Sequence, residues 1–363
     1  MEVESYNILV CFVVSLVLSY VMTKVLVSQQ FKIGVLDTPG KRKIHEKVTP
    51  TMGGLSIYIA FIIGYCLFVF KNGQSLIPLV LSSSILLAVG VMDDIYKLRS
   101  YYKLVFQLLA ASFLFYFSEN VAITSFYSLK ECVPIYFDSV SSFLATIFII
   151  ITLINAFNLS DGIDGLASTI ALYVIFVLGL FFLANSFYNE FYICLVMFAS
   201  ILGFLILNWA PAKIFMGDTG SLIIGFFLAF IILRFVNLNE VSTFHINSSF
   251  TVCASLFAYP VFDLLRVFYL RLKAKKSPFW PDKLHTHLIL KRLGYSDSKI
   301  CFLIISVQIL QLLLILLMDY LQLNEMIIFT LYLLCFFVSN RSIKYIVKNY
   351  KYTKYKNNAI VKI

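Results

Sequence analysis

Asn155-Ala-Phe-Asn158-Leu-Ser-Asp161-Gly-Ile-Asp164-Gly-Leu-Ala167 interrupts a chain that is otherwise mostly apolar. Two amides, two carboxylates and two glycines stand between two greasy runs. A polar group in hydrocarbon costs several kcal/mol unless it is paired, hydrated or bound to an ion. The cluster therefore belongs at a water-accessible face, where it binds an ion or does chemistry. The plainer reading is an acidic loop with glycine turns. Against it stands the spacing of three between Asp161 and Asp164, which puts both on one face of a helix.

Working outward, composition sets the class. Hydrophobic residues make up 60% and charged residues 13% of the 363 residues, whereas a soluble domain is about 25% charged. A fold this apolar is all-α and polytopic, an integral membrane protein. A span needs roughly 20 mostly apolar residues. Eleven candidate runs lie near 6–27, 53–70, 76–92, 103–118, 141–157, 168–187, 190–208, 219–237, 249–270, 299–318 and 326–340. No soluble domain separates them, so the expectation is a single transmembrane catalytic domain over 1–340 and a basic tail over 341–363. The first run follows Glu2 and Glu4 and precedes no Ala-x-Ala site, which argues for a retained span over a cleaved leader.

The formal net charge of +10 need not mean nucleic acid, and no base-reading motif is present. Placing the N-terminus outside puts nearly all loop Lys and Arg on the cytoplasmic side, and leaves only Lys71 and Lys130 outside. This asymmetry fixes the orientation. The seven cysteines form no Cys-x-x-Cys pair and read as small apolar side chains.

Four further polar clusters fall on the cytoplasmic side of this topology. Around Asp37, Arg42, Lys43 and His45, ahead of Gly53-Gly54, basic residues suit either anionic headgroups or a phosphate. Asp93-Asp94 closes the third run, with Lys97, Arg99 and Lys103 following. Adjacent carboxylates at a boundary repel, so a cation or basic neighbours must keep both. Met216-Gly217-Asp218-Thr219-Gly220-Ser221 opens a new helix, with Thr219 and Ser221 as candidate caps. Finally, Asp263 and Arg266 are spaced for an ion pair ahead of a basic loop ending in His285-Thr-His287. That pair lacks a third zinc ligand nearby, and a polyphosphate suits the surrounding cations better.

Carboxylates, amides and water-facing oxygens select Mg²⁺ or Mn²⁺, and basic loops clamp a pyrophosphate. The residues alone point to transfer of a phosphate-containing group from a soluble nucleotide donor to a membrane lipid.

Taken in order, Asp93-Asp94, the Asn155–Ala167 stretch, Met216-Gly217-Asp218-x-Gly-Ser and Pro281-Asp282-x-x-His285-x-His287 resemble the polyprenyl-phosphate N-acetylhexosamine-1-phosphate transferases (glycosyltransferase 4 family). The resemblance runs from about Asp37 to Gly294. It implies a ten- or eleven-helix, Mg²⁺-dependent enzyme (Mn²⁺ as substitute) of the bacterial inner membrane, with its active site facing the cytoplasm. A UDP-sugar and a polyprenyl (undecaprenyl) phosphate would be its partners. UMP would leave, and the lipid-diphospho-sugar would start a cell-envelope glycan. By motif position Asn158 and Asp218 would hold the metal. Asp93 or Asp94 would position or deprotonate the lipid phosphate, and Asp161 and Asp164 would organise the nucleotide side. Lys103 would meet the pyrophosphate; Arg42, Lys43, Asn155, His285 and His287 would bind substrate. The segment from Lys276 to Asp282 is similar to the GlcNAc-1-phosphate branch more than to the phospho-MurNAc-pentapeptide branch, which is the alternative. Leu288 and Ile289 replace a His and an Arg usual in the former, which leaves the sugar open. A multi-span transporter is the rival class, but its carboxylates belong near mid-bilayer, not at span ends. A homodimer is allowed by the resemblance without an interface signal in the sequence.

Overall fold

The computed structural model describes residues 2–33, 36–37, 48–69, 76–127, 134–277, 283–335, 337 and 341. Packing divides the chain into two compact units, Met1–His245 and Ile246–Ile363. The boundary falls inside the stretch expected to be one domain.

Among the described residues, every candidate run is helical. In the first unit these are α1 (Glu2–Ile33), α2 (Gly53–Gly64, continued by a π turn Tyr65–Val69), α3 (Ile77–Tyr96), α4 (Ser100–Phe117), α5 (Ser139–Asn158), α6 (Leu166–Ala184), α7 (Tyr188–Asn208) and α8 (Gly217–Asn239). The second unit holds α9 (Ser249–Leu256), α10 (Ala258–Lys273), α11 (Thr286–Arg292), α12 (Asp297–Tyr320) and α13 (Glu325–Cys335). The protein is a multi-pass membrane protein. Among the described residues, seven helices are long and apolar enough to cross a bilayer, or eight if α9 and α10 form one broken span. The expected ten or eleven spans include α2 and α13, which are apolar but shorter, and α4, whose first turns carry Lys103 and Gln107. Two short antiparallel hairpins complete the first unit, β1 (Leu36–Asp37) with β2 (Thr49–Pro50) and β3 (Ser125–Tyr127) with β4 (Pro134–Tyr136).

Helix α8 is the innermost element. Of its apolar window 83% is buried, against 22% for α1. Lipid is as apolar as a leucine side chain, so helices associate through close packing and hydrogen bonds more than through exclusion of water. The sequence supplies both. A Cβ on Gly54 would lie 2.0 Å from the Gly220 Cα, so α2 meets the start of α8 backbone to backbone. The Ser19 hydroxyl donates to the Ser200 carbonyl at 2.6 Å, and Thr23 and Ser56 bond at 2.8 Å, which ties α1 to α7 and α2.

Segment Pro50–Gly54, which follows the basic cluster of Arg42 and Lys43, is pinned to the entry of α8. Phe215 N–H donates to Pro50 O at 2.8 Å, Gly53 N–H to Phe215 O at 3.0 Å and Gly54 N–H to Met216 O at 3.0 Å.

In the second unit α9 and α10 meet at a 71° bend. Pro260 is the cause: it has no N–H for the carbonyl of Leu256, four residues back, and its ring clashes there. Gln308 of α12 donates to that carbonyl at 3.1 Å instead. Asp319 caps the start of α9 through Ser248 N–H at 2.7 Å.

One buried ion pair lies within the helices of the first unit. Arg234 of α8 meets Glu190 of α7 and donates to the Glu119 carbonyl at 2.9 Å. Breaking a buried pair costs far more than replacing it whole. Glu190→Ala is expected to cost about 3–5 kcal/mol of stability, while the double change Glu190→Leu with Arg234→Met costs much less. Thermal midpoints in detergent check the contrast.

Candidate active site

The C-terminal ends of α3, α5 and α7 and the N-terminal ends of α4, α6 and α8 share one end of the first unit, because the short connections 97–99, 159–165 and 209–216 turn the chain there. The chemistry-bearing side chains collect at this end.

Asp93 and Asp94 are both buried, yet successive helical residues point apart, and each has its own partner. Lys103, in the first turn of α4, reaches Asp218 Oδ2 at 2.6 Å and Asp93 Oδ2 at 3.4 Å. Asp93 and Asp218 are themselves in hydrogen-bonding contact. Asn158 Nδ2 donates to Asp218 Oδ1 at 3.2 Å and to Ser221 Oγ at 2.7 Å. Thus α3, α4, α5 and α8 each contribute one residue to a single recess of two carboxylates, one ammonium and one amide.

Asp94 faces the start of α8. Its Oδ1 accepts Asp218 N–H at 3.0 Å, and its Oδ2 accepts Thr219 N–H at 3.1 Å and the Thr219 hydroxyl at 2.6 Å. The expected capping of α8 by Thr219 and Ser221 is therefore replaced. The cap comes from another helix, Thr219 donates to the same carboxylate, and Ser221 accepts from Asn158. Gly217, at φ +71°, makes room for this arrangement, since a Cβ there would lie 2.5 Å from Asp94 Oδ2.

Asn155 does not join the recess directly. Its Nδ2 donates to Gln107 Oε1 at 2.7 Å and to the Ile151 carbonyl at 2.8 Å. Asp161 and Asp164, expected on one helix face, lie instead in the turn between α5 and α6, and Asp164 Oδ2 accepts the Ala212 N–H at 2.9 Å and so anchors the loop that leads into α8. The Asp161 side chain has no hydrogen-bond partner among the described residues and retains solvent access. Burial, then the charges of Asp218, Asp94 and Asp164, push its carboxyl up to about 7. Arg42 and Lys43 lie outside the described residues.

The sequence profile described as Glycosyl transferase family 4 matches residues 76–236. A protein of Bacillus subtilis (strain 168) named "Probable undecaprenyl-phosphate N-acetylglucosaminyl 1-phosphate transferase" is 31% identical over 290 residues, covering 80% of this chain and 79% of that one. The "Decaprenyl-phosphate N-acetylglucosaminephosphotransferase" of Mycobacterium leprae is 33% identical over 292 residues, 73% and 72% of the two chains. The chain belongs to glycosyl transferase family 4. It is a membrane enzyme of the phosphotransferase type, with relatives also in Thermotoga maritima at 29% identity over 276 residues, 76% of this chain and 79% of the relative.

In the second unit of this family 4 transferase, His285 and His287 are buried. His285 Nδ1 is 2.7 Å from Asp263 Oδ2, and Arg266 Nη2 donates to Asp263 Oδ1 at 2.8 Å. The ion pair expected from the spacing of Asp263 and Arg266 is present. Tyr259 Oη bonds His287 Nδ1 at 2.7 Å. Burial and the nearby cations hold His287 down at about 4, so its ring is neutral at physiological pH.

Two residues escaped the sequence expectations. Gln107 was legible as the residue four beyond Lys103, on the same face of α4. Tyr259 carried no signal, because an aromatic in a greasy run looks like any lipid-facing ring.

The two adjacent aspartates are expected to behave oppositely. Asp94→Ala leaves buried helix-end amides without acceptors and costs about 2 kcal/mol of stability. Asp93→Ala removes like charge beside Asp218 and leaves stability near wild type. Denaturant or thermal unfolding of the two purified variants, beside membrane activity, checks this.

Proposed function

We propose that the protein transfers an N-acetylhexosamine 1-phosphate from a UDP-sugar to a polyprenyl phosphate such as undecaprenyl phosphate, at the cytoplasmic face of a bacterial inner membrane. A lipid phosphate oxygen bonds to the sugar-linked phosphorus, the phosphoanhydride bond breaks, and UMP leaves with the electron pair. The observation that carries this reading is the recess of Asp93, Lys103, Asn158 and Asp218, drawn together from four helices. The names of the relatives support the lipid acceptor and the GlcNAc 1-phosphate group. The Lys and Arg bias of the loops supports the cytoplasmic orientation.

The recess fits Mg²⁺. Lys103 places a cation where two carboxylates converge, and the other donors are hard oxygens. Among the described residues no group of three or more His, Cys, Asp or Glu side chains is arranged to hold a metal alone. Magnesium needs only one or two carboxylates when substrate phosphates complete its shell. Asp218 and Asn158 would hold it, and it would supply neutralisation of the charge on the transferring phosphates.

The chain's own groups do the rest. Lys103 offers its ammonium to the pyrophosphate and balances Asp93 and Asp218. Asp93, whose oxygens are not spent on a helix cap, positions the lipid phosphate. Asp94 holds Asp218 in place through the cap. Asp161, with no partner of its own, faces the nucleotide side.

Asp218→Ala or Asn158→Ala is expected to lower UMP release by at least 100-fold in a protein that still elutes as a folded species in detergent. Turnover near wild type in either variant removes the metal assignment. A membrane assay with a panel of UDP-sugars, reading UMP and the lipid product, tests the reaction and names the sugar. Chelation is expected to stop it, and Mg²⁺ or Mn²⁺ to restore it.

Asp161 makes a pH prediction for the metal-free protein. Its folded value of about 7 lies above the unfolded 3.8, so the folded state binds more protons between these values. Stability from this group therefore falls as pH rises through that window. Asp161→Asn is expected to flatten the decline, as read from thermal midpoints in chelator between pH 5 and 8.

A further inference from the structure

A carboxylate buried in the second unit gathers four donors. Asp263 Oδ1 accepts Arg266 Nη2 at 2.8 Å, Thr286 N–H at 3.0 Å and the Thr286 hydroxyl at 2.6 Å. Its Oδ2 lies 2.7 Å from His285 Nδ1. Asp263 is 7% exposed, His285 6% and Thr286 8%, so water does not compete. An ionised carboxylate only accepts, so His285 must carry its proton on Nδ1. The neutral ring then keeps a lone pair on Nε2, and the charged ring an N–H there. In either state Asp263 dictates what Nε2 offers. His287 is set independently, by Tyr259. The two rings stack at 5.7 Å between centroids and 21° between planes.

The bland reading is a clip that fastens residues 283–286 to α10. Arg266 already does this through the Leu284 carbonyl at 2.6 Å, and Thr286 does it through two bonds to Asp263. The histidine adds nothing that the clip requires. A carboxylate on Nδ1 is the arrangement that fixes tautomer and ring angle when the far nitrogen has work to do.

The geometry points to Asp263 as a positioning residue within the second unit: it sets the tautomer and orientation of His285, and with them what Nε2 offers a phosphate-bearing ligand. This inference rests on the reaction proposed above.

Asp263→Asn tests it. The amide oxygen keeps the Thr286 bonds, but the amide NH₂ forces His285 onto the other tautomer. The expected result is a kcat loss of 30-fold or more with KM for the UDP-sugar changed less than threefold. Asp263→Glu is expected to recover part of kcat. In a His285→Gln background, Asp263→Asn is expected to cost less than twofold further. The chain has four histidines, so ¹⁵N imidazole spectra of the full-length protein in detergent resolve the His285 tautomer directly. Multiplicative losses in the double variant overturn the proposal. So does a tautomer switch with kcat within twofold of wild type, or no switch at all. Absence of UMP release from wild type with every UDP-sugar defeats the underlying reaction instead, and leaves the spectra as a separate result.

Discussion

The first turn of α8 is buried, and a buried helix start leaves backbone N–H groups that need acceptors. In this protein the acceptor is a carboxylate from a different helix. Asp94 takes the amides of Asp218 and Thr219, while Pro50–Gly54 hydrogen-bonds to the backbone of Phe215 and Met216. Both ties need close approach, and Gly54, Gly217 and Gly220 supply it. Everything else at this end of the first unit follows from where that turn is held, because Asp218 stands on it.

The same device explains how two adjacent aspartates survive together. Asp94 is neutralised by helix-end dipoles, and Asp93 by the Lys103 ammonium. One residue of the pair caps a helix, and the other meets Lys103 and Asp218 in the recess. The recess is thus two carboxylates balanced by one resident positive group, the Lys103 ammonium. The Asp263 carboxylate in the second unit repeats the logic on a histidine: polar atoms buried in this chain are satisfied by partners from distant positions, and those partnerships specify orientation as much as stability.

Much of this was legible in the chain itself. Among the described residues each apolar run became helical, since hydrocarbon forces backbone groups to bond within their own segment. The Asp263–Arg266 pair followed from helical spacing. The motif carboxylates and amides stood out because polar residues in a greasy chain are costly and so must be used. What escaped was of another kind. The assignment of caps to Thr219 and Ser221 failed because the better acceptor lay 124 residues away. The break at Phe257 was absorbed into one apolar run, although Pro260 marks it. Gly53-Gly54, at the head of the second apolar run, proved to be where α2 meets α7 and the entry of α8.

By itself, then, the sequence determined the solvent this protein folds in, the helical class and the set of polar residues that a greasy chain must satisfy, since these depend on composition and local spacing. Only the tertiary structure decided which aspartate caps a helix and which pairs with Lys103, and that Gln107 and Tyr259 belong beside motif residues. It did so because those choices are made by contacts between helices far apart in the chain, where hydrogen-bond geometry, and not periodicity, picks the partner.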